Sequence, residues 1–109
     1  MSFTAHIRTK SKIEYGSRFF NHEQYELKKF IEESGFNVYA PEYNEDYWEI
    51  DRDQLEGLVK YIDETYNDNE ECFGGYTRED LISIFNKWLE ETSNRSNFDF
   101  PDTINIDWF

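Results

Sequence analysis

Apolar residues recur along this chain with a helical period in three places and alternate with polar ones between them. Leu27, Phe30 and Ile31 form one set, Leu55, Leu58, Val59, Ile62 and Tyr66 a second, and Leu81, Ile84, Phe85, Trp88 and Leu89 a third. Spacings of three and four place each set on one side of a helix. Each set follows a helix-start signature: a capping residue, an acceptor three positions on, and an apolar pair bracketing them. Phe20 precedes Asn21, with Gln24 and Tyr25 after it; Ile50 precedes Asp51, with Gln54 and Leu55; Tyr76 precedes Thr77, with Asp80 and Leu81. In such a box the cap oxygen satisfies an orphaned backbone N–H, and the apolar pair fixes how the chain enters the helix. Gly35, after Ser34, marks the stop of the first helix. Residues 67–76, polar and then glycine-rich at Gly74 and Gly75, predict a turn between the second and third helices.

Strand patterns fill the gaps. Phe3, Ala5 and Ile7 alternate with polar residues, as do Ile104, Ile106 and Trp108, while residues 36–39 and 43–50 are rich in β-prone and aromatic side chains. Pro41 divides the middle stretch into two strands, and Pro101 separates a loop over 94–100 from the last strand. The expectation is an α+β fold in one small domain spanning 1–109, in the order β-α-β-β-α-α-β. Three helices pack on a small, largely antiparallel sheet, with the terminal strands as neighbours. A chain of 109 residues supports one core. Because 19% of the residues are Phe, Trp or Tyr, that core is built from rings, and the chain is not of the disordered class despite its net charge of −13.

The charge is segregated. Residues 1–40 hold five acids and six bases, whereas residues 41–109 hold nineteen acids and five bases. A field this lopsided attracts a basic partner and disfavours nucleic acid phosphates and anionic lipid. No stretch approaches the ~18 apolar residues of a membrane span. The single cysteine, Cys72, excludes an internal disulfide, and the N-terminal residues alternate without forming a continuous apolar run. Both features lead us to expect a cytoplasmic protein.

Catalytic and cofactor motifs are missing. The two histidines, His6 and His22, fall on a predicted strand and in a first helical turn, and Cys72 sits beside Glu70 and Glu71, which disfavour its thiolate. Gly74-Gly75 runs into Tyr76 without the Lys-Ser/Thr of a phosphate loop. Zinc would need ligand pairs that one Cys and two distant His do not supply. Asp68, Glu70, Cys72 and Glu79 take positions 1, 3, 5 and 12 of a calcium-loop register, but Cys72 is a poor ligand for a hard cation and Phe73 holds the glycine position. Glu26-Leu27-Lys28 has the E-x-K spacing of a nuclease core but lies within a predicted helix. We expect no enzyme activity, no metal and no cofactor.

The densest stretch is residues 41–53, where six acids and Arg52 interleave with Tyr43, Tyr47 and Trp48. On a strand, Glu45 and Glu49 share a face with Tyr43 and Tyr47, while Trp48 and Ile50 point to the core. Carboxylates steer a basic partner and tyrosines anchor it. The expected partner-binding residues are therefore Glu45, Tyr47, Glu49, Asp53, Glu56 and Asp63, within an acidic face over 42–80 that mimics nucleic acid phosphates. The function expected is an acidic, non-enzymatic inhibitory or neutralising partner of a basic nucleic-acid-binding protein. In size and charge the chain resembles immunity proteins, antitoxins and phage anti-defence proteins. The alternative is a self-associating scaffold or binding module, in which Arg8, Lys10 and Lys12, near Arg18, meet the acidic face of a second copy as a homodimer. Finally, Phe98 to Asp102 and the ending Ile106-Asp107-Trp108-Phe109 resemble the acidic, Phe-terminated tails of bacterial single-stranded DNA-binding proteins, which implies partner recruitment. The competing expectation for the same residues is a closing strand.

Overall fold

The computed structural model describes residues 3–8, 15–92 and 103–109, without the side chains of 15–18. Its elements are β1 (Ala5–Arg8), β2 (Tyr15–Phe19), α1 (Gln24–Glu33), β3 (Tyr47–Asp51), α2 (Arg52–Thr65), β4 (Glu71–Phe73), β5 (Tyr76–Thr77), α3 (Arg78–Glu91) and β6 (Thr103–Trp108). The larger sheet is antiparallel in the order β2-β1-β6-β3, so the terminal strands are neighbours, Ala5 opposite Trp108 and Arg8 opposite Asn105. The α+β class and the expected order of elements hold, with two additions, strand β2 and the β4–β5 hairpin, and with the first of the two expected middle strands reduced to one bridge. Among the described residues no helix is long and apolar enough to cross a membrane.

Alternation along the strands decides the two faces of the sheet. Ala5, Ile7, Trp48, Ile50, Ile104, Ile106 and Trp108 point inward and are buried against Leu27, Leu55, Leu58, Ile62, Leu81 and Phe85 of the helices. Aromatic rings fill the centre: Trp48 meets Trp108 edge-on at 4.9 Å, and Phe20 packs between Tyr76, Phe85 and Trp88 at 5.0–6.0 Å. Residues 103–108 therefore form a core strand, as the alternation of Ile104, Ile106 and Trp108 implies, so the tail resemblance fails for them; Phe109 beyond it is 53% exposed and bonded through its backbone to Thr4. Residues 98–102, like Lys10 and Lys12, lie outside the described residues.

Local signals hold to different degrees. Thr77 caps α3 in a complete box with Asp80. Asp51 caps α2 by position, but its side chain accepts no capping bond. The first signature is displaced: α1 starts at Gln24 after Glu23, not after Asn21. Phe20 is drawn into the core at 2% exposure, which forces φ +62 there and +59 at His22. His22 N–H then donates to Phe3 C=O at 2.6 Å, so tertiary packing overrides the cap. Gly35, at φ +91, ends α1 as expected, with Phe36 N–H returning to Ile31 C=O. Residues 36–39 contribute a single bridge, in which Tyr39 exchanges both backbone bonds with Glu49. Pro41 follows with no N–H to continue the ladder.

Candidate functional site

The six residues expected to bind a partner are not brought together on one surface. Strand β3 begins only at Tyr47, so Tyr43 and Glu45 lie in the preceding turn and not on the strand face with Tyr47 and Glu49. Tyr43 is 90% exposed. The Glu45 carboxylate is also exposed, its backbone C=O accepting from Gln24 Nε2 at 2.9 Å.

Tyr47 and Glu49 lie on the outer sheet face and are engaged with each other. The Tyr47 hydroxyl donates to Glu49 Oε1 at 2.8 Å, with Asn105 Oδ1 at 2.9 Å from the same oxygen. Arg8 lies over the Tyr47 ring, 5.1 Å from its centroid, and donates to both carboxylate oxygens of Asp107 at 2.8–3.1 Å. Burial, then the Glu49 carboxylate, raises the Tyr47 phenol pKa well above its ordinary 10.0. A small hollow of about 150 Å³ beside this network is lined by Asn37, Tyr39, Glu49, Asp51 and Gln54.

Asp53, Glu56 and Asp63 belong to the helical layer on the other side of the sheet, on the exposed side of α2. Asp53 and Glu56 have no partner among the described residues. Asp63 is paired with Arg78, which Asp68 and Glu79 also contact, Glu79 at 2.6 Å and Asp68 at 3.7 Å. Hydrogen bonds from Arg78 and from the Asn69 N–H hold the Glu79 carboxyl below its usual range. Two of the carboxylates in the calcium-loop register thus converge on a guanidinium. Among the described residues no three His, Cys, Asp or Glu side chains group as a metal site requires. Burial and the neighbouring Glu70 push the Cys72 thiol up to about 11, leaving it a weak nucleophile at neutral pH.

Two features were not read from the sequence. Arg52, counted there with the acidic surface stretch, is 6% exposed and holds the C-terminus of α3: it donates to Thr92 C=O at 2.7 Å, to Thr92 Oγ1 at 2.6 Å and to Leu89 C=O at 3.3 Å. No local signal marks a base as a cap for a helix forty residues away. The second is the β4–β5 hairpin. Gly74 and Gly75, at φ +55 and +86, form its two-residue turn, and a Gly-Gly pair between Phe73 and Tyr76 is a recognisable hairpin signal. This turn brings Tyr76 to Glu23, whose Oε1 accepts from the phenol at 2.7 Å. Comparison with protein-family models, with curated proteins and with solved structures finds no match to this chain.

Proposed function

We propose that this protein is an acidic, non-enzymatic interaction protein of the cytoplasm that binds and neutralises a basic, nucleic-acid-binding partner. The observation that carries the reading is the fate of the two described arginines of the acidic half; Lys60 and Lys87 stay exposed on α2 and α3, Lys60 one turn after Glu56. Arg52, the one base between Glu42 and Asp53, is buried under α3, and Arg78 is held by Asp63, Asp68 and Glu79. Neither offsets the exposed carboxylates of Glu42, Glu45, Asp51, Asp53 and Glu56. Those groups lie in the turn before β3, at its end and on α2, and present exposed negative charge that a basic nucleic-acid-binding groove can meet in place of phosphates. Arg8 favours this reading over self-association through a basic edge, because its guanidinium is already bound to Asp107.

The test is capture of partners from host extract at low salt with wild-type protein and with the double variant Glu45→Lys/Asp53→Lys. Both positions are exposed, so the melting temperature is expected to stay within a few degrees. A basic protein retained by the wild type, released by rising salt and lost from the variant is the expected result. Retention that strengthens with salt, or is equal for the two proteins, would exclude the electrostatic mechanism.

A further inference from the structure

A cavity of about 460 Å³ opens where the end of β2, the N-terminus of α1, the β4–β5 turn and the start of α3 meet. Phe19, Tyr76 and Ile84 supply its apolar wall, and Glu23, Asp80 and Ser83 its polar one; among the described residues no Lys or Arg lines it. Each carboxylate is oriented by one oxygen and keeps the other unpartnered among the described residues. Glu23 Oε1 accepts from the Tyr76 hydroxyl, and Asp80 Oδ2 accepts from the Thr77 N–H at 3.1 Å. Gly74 completes the seat: a Cβ there would lie 2.8 Å from Glu23 Oε2, so a side chain would displace the carboxylate. Elsewhere in this fold, converging carboxylates surround a guanidinium, as Asp63, Asp68 and Glu79 surround Arg78. Here two held carboxylates and two aromatic rings border a space that no cation of the described residues fills.

We propose that this cavity receives an arginine side chain of the basic partner. The inference rests on the acidic-partner reading above and gives it a specific docking point. A guanidinium is the group these walls fit: its plane stacks on an aromatic face while its edge donates to carboxylate oxygens. Lysine would satisfy the charge but not the stacking.

The experiment is an amide chemical-shift titration of the full chain with an oligoarginine peptide, and with an oligocitrulline peptide of equal length, which is neutral and nearly isosteric. The variant Glu23→Gln/Asp80→Asn removes both charges yet keeps an oxygen for the Tyr76 hydroxyl and the Thr77 N–H. Ser83→Phe instead blocks the cavity from an exposed helix position. The expected result is movement of the Gly74, Gly75, Tyr76 and Ser83 amides with oligoarginine alone, and binding weakened about tenfold in either variant, as loss of charge-assisted bonds implies. Three outcomes overturn the assignment while leaving the broader reading intact: tight oligoarginine binding with those amides unmoved, wild-type affinity retained by both variants, or equal binding of oligocitrulline. No oligoarginine binding at low salt would sink both.

Discussion

Replacing Arg52 with Met tests whether a buried guanidinium organises the end of α3. Its stem is packed at 6% exposure, and Met conserves most of that stem while removing every donor. The loss includes two short bonds to Thr92, at 2.6 and 2.7 Å, and two long ones to Leu89 C=O, both at 3.3 Å. A hydrogen bond involving a charged group contributes ~1.5–3 kcal/mol net, so the short pair is worth about 3–6. Against this stands the desolvation of the guanidinium, a cost of several kcal/mol that Met avoids, and replacement of a buried ion by an apolar residue is often neutral. Here the acceptors decide the balance. Thr92 is 3% exposed, so its C=O stays buried when the donor leaves. A net loss of about 2–4 kcal/mol is expected, a large fraction of the ~5–15 kcal/mol of a whole domain. Urea denaturation followed by Trp fluorescence should show the midpoint falling by about 1–2 M at unchanged slope. A double-mutant cycle with Thr92→Val should give a coupling of ~1–2 kcal/mol. A midpoint unchanged within error, or raised, would refute the capping role and leave Arg52 a replaceable core residue.

Deleting Trp108 and Phe109 removes a ring that is 3% exposed and packed on Trp48, at a cost of ~3–5 kcal/mol. Cooperative thermal unfolding by circular dichroism should be lost or shifted far down, whereas an unchanged melt would restore the tail reading. Burial first, and then the Glu23 hydrogen bond, raise the Tyr76 phenol from 10.0 to about 12. Because the folded value lies above the unfolded one, the associated stability is full below pH 10 and is lost as pH rises toward 12. In an alkaline absorbance titration, Glu23→Gln should lower this phenol only part of the way toward 10, burial being the larger cause; no movement would mean that Glu23 does not hold it.

The apolar periods of this sequence determine the three helices, the inward faces of the first and last strands, and the aromatic core. Each of these depends on burial repeated along a single segment, and Ile104, Ile106 and Trp108 carry the same inward alternation in the sequence as in the sheet. Local capping chemistry was enough at Thr77, where the box closes on itself, and not at Asn21, where Phe20 is pulled into the core and the turn is pinned to Phe3. The acidic character is likewise a property of composition, but which acids stay free is not. Tyr47 with Glu49, Arg8 with Asp107, Asp63 with Arg78 and Arg52 with Thr92 are paired by strand register and helix docking. Glu45, Asp53 and Glu56 are left exposed by the same packing. The cavity between Glu23 and Asp80 unites segments far apart in the chain and depends on a glycine turn that sets Tyr76 against Glu23. Periodicity reports which way a residue faces along its own element; what it meets there is decided only when elements distant in sequence pack together.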